Sequence, residues 1–82
     1  MMLDVTYKGN IAVLDVRERI QRGEHPRQEI LQFVKEAKHG TVIEIHLPIY
    51  PKPLIDALEL IGIQSIINSL GPNHFRMMCV KI

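Results

Sequence analysis

Apolar and polar positions alternate along the first part of the chain and later recur with a longer period, and this change of rhythm marks out most of the elements. Leu3, Val5 and Tyr7 alternate with Asp4 and Thr6, as in a half-buried strand. Lys8-Gly9-Asn10 then supplies a turn into a second strand over 11–16. From Pro26 onward, Ile30, Leu31, Val34 and Ala37 fall at helical spacing, while Arg27, Glu29, Gln32, Lys35 and Glu36 face away. Lys38, His39 and Gly40 are helix-ending residues, so the first helix is predicted over 26–39. The β-branched run 41–47 reads as a strand that Pro48, Pro51 and Pro53 bring to an end. Pro53 opens a second helix over 53–61, whose apolar set is Leu54, Ile55, Leu58 and Ile61, with Gly62 past its end. The stretches 63–70 and 74–82 are strands, and Gly71-Pro72-Asn73 between them is short enough for an antiparallel hairpin.

The element order is therefore ββαβαββ, or βαβαββ where residues 1–11 are an N-terminal arm rather than an extra strand. Strands alternating with helices favour parallel neighbours, and the last hairpin adds an antiparallel pair. The expected fold class is α+β or α/β: a two-layer sandwich, a mixed sheet with two helices on one face. Residues 12–82 form its single domain. The other sheet face is left to solvent or a partner. Along the last strand Phe75, Met77 and Cys79 share one side, and His74, Arg76, Met78, Val80 and Ile82 the other. Apolar residues on both sides suggest double burial, by a homodimer contact or by the arm.

Ten basic residues against nine acidic ones give a net charge of +1, which argues against nucleic acid as a partner. No apolar run reaches the length of a membrane span and the first residues do not read as a signal peptide, so a cytoplasmic location is the default expectation. One cysteine excludes an intrachain disulfide. Four arginines, Arg17, Arg19, Arg22 and Arg27, cluster around His25-Pro26. A helix start beside basic side chains suits an anion or an acidic partner, although Glu18 and Glu24 also make it readable as a solvated loop of mixed charge.

Leu14-Asp15-Val16-Arg17, His25-Pro26 before an amphipathic helix, Gly40 before a strand, Pro51-Lys52-Pro53-Leu54 and Gly71-Pro72 ahead of an aromatic and Arg76 recur together in one known pattern. Over residues 12–82 the chain resembles domain-of-unknown-function family 2249, itself similar to the TusA/SirA-like domains. The resemblance implies a βαβαββ sheet with strand order 1-2-4-3. TusA-like sulfur carriers open their first helix with Cys-Pro-x-Pro, where the helix start lowers the thiol pKa. Here the opening is His25-Pro26-Arg27-Gln28, and imidazole cannot carry a persulfide. The family's second histidine, before the second helix, is replaced by Ile49 within Pro48-Ile49-Tyr50-Pro51.

These residues carry no catalytic constellation, and no cofactor is expected. The leading expectation is a non-catalytic accessory module that binds a protein partner or small anion through Arg17, Arg22, His25 and Arg27 at the first helix start. A second is a redox- or metal-linked domain in which His25 and His46 converge, with Asp15 or Glu24 as a carboxylate. A third is a sulfur relay through Cys79, whose place deep in the last strand reads more simply as a buried thiol. His39 is read as a dipole-complementing residue at a helix end, and His74 as a solvent-facing residue after a turn. Tyr50 is the aromatic of the Pro48–Pro53 segment expected to be exposed.

Overall fold

The computed structural model describes residues 3–82 as one α+β domain with a five-stranded mixed sheet and three helices. The strands are β1 (Val5–Lys8), β2 (Ile11–Asp15), β3 (Val42–Leu47), β4 (Ser65–Gly71) and β5 (His74–Val80). The helices are α1 (Arg17–Gln21), α2 (Arg27–Glu36) and α3 (Lys52–Leu60). The sheet order is β1-β2-β3-β5-β4, with β2 and β3 parallel and every other pair antiparallel. The last four strands thus stand in the order 1-2-4-3.

Residues 5–8 are an extra strand rather than an arm. Lys8 pairs with Ile11 across a two-residue loop. Gly9 takes φ +59°, a left-handed conformation at the first loop position that closes a hairpin in step with strand twist. At the other end of the sheet, Gly71 pairs with His74 around Pro72 and a positive-φ Asn73, the residue pair a type II turn asks for.

Strand alternation puts Ala12, Leu14, Ile43, Ile45, Leu47, Met77 and Cys79 on one face, where Ile30 and Val34 of α2 and Leu54 and Leu58 of α3 cover them. All of these side chains are buried, and they form a single core. The opposite face bears Val13, Glu44, His46, Arg76 and Met78, all half-buried, with Asp15 exposed. Burial along β5 is consequently one-sided: Met77 and Cys79 are enclosed while Val80 and Ile82 stay exposed.

Three helices, not two, connect the strands. The stretch from Arg17 to Gln21, expected as loop, forms the single turn of α1, in which nothing is fully buried and only Ile20 packs against the core. Such a short helix leaves no 3.6-residue rhythm to read. Its support is tertiary: Arg19 reaches Glu29 of α2 through two hydrogen bonds of 3.0 and 2.6 Å. Helix α2 stops three residues before the expected end. Lys81 donates from Nζ to the carbonyls of Val34 and Lys35 at 2.8 and 2.6 Å, and Ala37 is already extended. No described helix is long and apolar enough to cross a membrane.

Candidate functional site

Both longer helices begin at the same place. The N-terminus of α2 follows the α1–α2 loop, and that of α3 follows the loop after β3; between them lies a groove of about 380 Å³. Its floor is apolar, from Ile20, Ile30, Leu47 and Leu54, and its rim carries His25, Arg27, Ile49 and Tyr50 together with Glu24, whose carboxylate is taken up by Arg19 and Arg22. Pro26 and Pro51 occupy the two N-cap positions, and neither helix start receives a side-chain cap hydrogen bond. Proline is tolerated there because the first N–H groups lack helical partners in any case. The positive ends of two helix dipoles therefore converge on one depression.

Two large apolar side chains project at this rim, Ile49 at 60% and Tyr50 at 55% exposure. Tyr50 is steadied edge-on by Phe75, ring centroids 6.1 Å apart. The expectation of an exposed Tyr50 holds. His25 is exposed and, with helix α2 beginning at Arg27, stands one residue before the N-cap rather than capping the helix.

The four arginines do not act as one basic patch. Arg17 lies on the Asp15 carboxylate at 3.0 and 2.7 Å, and its guanidinium holds the Asp15 pKa below the usual value. Arg19 bridges Glu24 and Glu29, and Arg22 also contacts Glu24. Hydrogen bonds from these arginines pull the Glu24 and Glu29 carboxyls below their ordinary pKa values. Arg27 alone of the four has no ion pair among the described residues. The expected quartet is accordingly divided. Arg17 and Arg22 line a separate cleft of about 960 Å³ with His74 and Asn73, whereas His25 and Arg27 line the groove between the helix starts.

His25 and His46 are not brought together. His25 lies on the helix side, whereas His46 projects from the opposite face of β3, out of step with buried Ile45 and Leu47. The partners of His46 are Glu44, with Oε2 2.7 Å from Nε2, and His74, with Nε2 2.8 Å from Nδ1. An ionised carboxylate can only accept, so the His46 Nε2–H donates to Glu44, and neutral His46 then accepts from His74 at Nδ1. Burial, followed by the nearby Arg17 guanidinium and the neighbouring His46 ring, lowers the His74 pKa. His74 is thus no simple solvent-facing residue. The two rings meet only because β3 pairs with β5, a neighbourhood no local spacing encodes.

No group of three or more His, Cys, Asp or Glu side chains among the described residues is arranged to hold a metal ion. Cys79 is buried, and desolvation pushes its thiol pKa up, opposite to the shift a persulfide carrier needs. His39 lies exposed beyond the end of α2. No protein-family model, curated protein or solved structure matches the chain.

Proposed function

We propose that this protein is a non-catalytic binding module that takes a protein partner in the groove between the starts of α2 and α3, and that its fold is a TusA/SirA-like one adapted to binding. The supporting observation is the coincidence, at one rim, of Arg27, which has no ion pair among the described residues, and two uncapped helix starts with exposed Ile49 and Tyr50. Helix starts and a free guanidinium favour a carboxylate. Exposed apolar and aromatic side chains beside a shallow apolar floor favour a hydrophobic neighbour of that carboxylate. The partner segment is therefore a short peptide carrying an acidic residue next to an apolar one.

A small anion alone would use the charge and leave Ile49 and Tyr50 unexplained. The cleft at Arg17 and Arg22 suits an anion less well, because Asp15, Glu18 and Glu24 already engage those guanidinium groups. A test is fluorescence anisotropy with labelled acetyl-Asp-Glu-Leu-Phe-amide. Binding should weaken about tenfold in both Arg27→Ala and Tyr50→Ala while Arg17→Ala leaves it unchanged. Loss in Arg27→Ala with no effect of Tyr50→Ala, together with full competition by sulfate, would replace the peptide by a simple anion. No binding, or equal loss in Arg17→Ala, would reject the groove.

A further inference from the structure

The two edges of the sheet are protected very differently. β1 is four residues long and ends in Lys8, whereas β4 has seven residues, Ser65-Ile66-Ile67-Asn68-Ser69-Leu70-Gly71, with neither a charge nor a proline and regular pairing with β5 from Ser65 to Ser69 before a register shift at Leu70. Short, charged edges resist pairing with another chain, and long neutral ones invite it. The uncharged run extends from Leu60 to Asn73, which is unusual in a chain with nineteen acidic and basic residues, ten plus nine. Ile66 is 70% exposed and Leu70 45%. A depression of about 600 Å³ continues the apolar surface through Met78, Val80 and Ile82.

A second observation falls on the same ladder. Among the described residues, the two buried side-chain polar atoms without a hydrogen-bond partner are Ser65 Oγ and Arg76 Nε. Ser65 belongs to β4, and Arg76 is directly opposite Asn68, to which it makes one long contact of 3.3 Å. Both atoms are buried and Arg76 lies on β5, one strand in, so they mark incomplete polar satisfaction inside the β4–β5 ladder rather than groups that the outer edge offers to a partner.

We infer that β4 pairs antiparallel with β4 of a second copy of this chain, joining two sheets into one of ten strands. A two-fold axis at Asn68 places Asn68 against its own symmetry mate and brings Ile66 of each copy opposite Leu70 of the other. Paired amides at the axis can exchange hydrogen bonds, each copy supplying both donor and acceptor. An axis sets like against like, so a charged residue there would repel itself; the neutral run from Leu60 to Asn73 carries none. Isologous pairing uses both free β4 edges and closes at two copies, whereas pairing of β4 with β1 would propagate. The groove at the helix starts takes no part.

Sedimentation velocity of the full chain tests this directly. The expected species has twice the 9.4 kDa mass of one chain, and Asn68→Lys returns it to 9.4 kDa with an unchanged circular dichroism spectrum. Hydrogen exchange on the unsubstituted protein guards against a variant that misfolds: amides of 65–71 should exchange more slowly as protein concentration rises, those of 5–8 should not. A unsubstituted chain that stays at 9.4 kDa at high concentration overturns the inference, as does a dimer whose β4 amides show no concentration dependence.

Discussion

Arg27 differs from the three arginines before it in having no carboxylate partner among the described residues, and the proposed partner binding rests on that difference. Counting charges around His25-Pro26 finds a basic cluster. It cannot find that Glu29, ten residues from Arg19, takes up one of those charges across a helix boundary. The same limit hides His74, which is 28 residues from His46 yet shares a 2.8 Å contact with it. Asp15 and His74 both make the fold acid-sensitive. The Asp15 pKa is lowered by Arg17, so its contribution is present above about 3.8 and is lost as pH falls through the lower folded value. The His74 pKa is lowered chiefly by burial, so its contribution is present above 6.5 and is lost as pH falls from there. Urea unfolding across mildly acidic pH should show the decline, and His74→Gln should flatten its upper part while Asp15→Asn flattens the lower. By NMR, the His74 ring should titrate below 6.5 and move back toward that value in His46→Gln.

At the scale of elements, β3, both longer helices and the final hairpin follow the hydrophobic rhythm closely, because each buries one regular stripe against a single core. Ile43, Ile45 and Leu47 are inside, and Ile30, Val34, Leu54 and Leu58 meet them. Truncating the centre of that stripe, Leu58→Ala, should cost about 2–5 kcal/mol, read from the urea midpoint. Helix ends follow other rules. Gly62, at φ +81°, closes α3 while Ile63 N–H donates to the Leu58 carbonyl at 2.9 Å. Gly62→Ala should cost about 1 kcal/mol by forcing a Cβ into the left-handed region, with no effect on the core. The early stop of α2 depends on Lys81, a residue from the far end of the chain, and α1 depends on a salt bridge. Neither leaves a periodic signature.

On the scale of the whole molecule, one sheet separates two surfaces of different composition. The helix side carries the core and, at the shared start of α2 and α3, an apolar groove rimmed by Arg27 and two helix N-termini. The far side carries the row Asp15, His46, Arg76 and Asn68, set by strand register and ending at an unguarded edge. A dimer through β4 would present two grooves on one particle, and a partner with two acidic-apolar segments would gain from binding both. The covered face was legible because it follows from alternation along the strands and helices, whereas the order of the last four strands came from the family resemblance and not from hydrophobic spacing. The division of the arginines between two depressions was not legible, because it depends on which carboxylates fold back upon them.

Recognition at the groove, as proposed, is open to chemical-shift mapping on the uniformly ¹⁵N-labelled chain. Addition of acetyl-Asp-Glu-Leu-Phe-amide should shift the amides of His25, Arg27, Gln28, Ile49 and Tyr50 and leave those of Asp15, Arg17 and His74 in place. Shifts confined to Arg17, Arg22 and His74, or no shifts at all, would contradict the account.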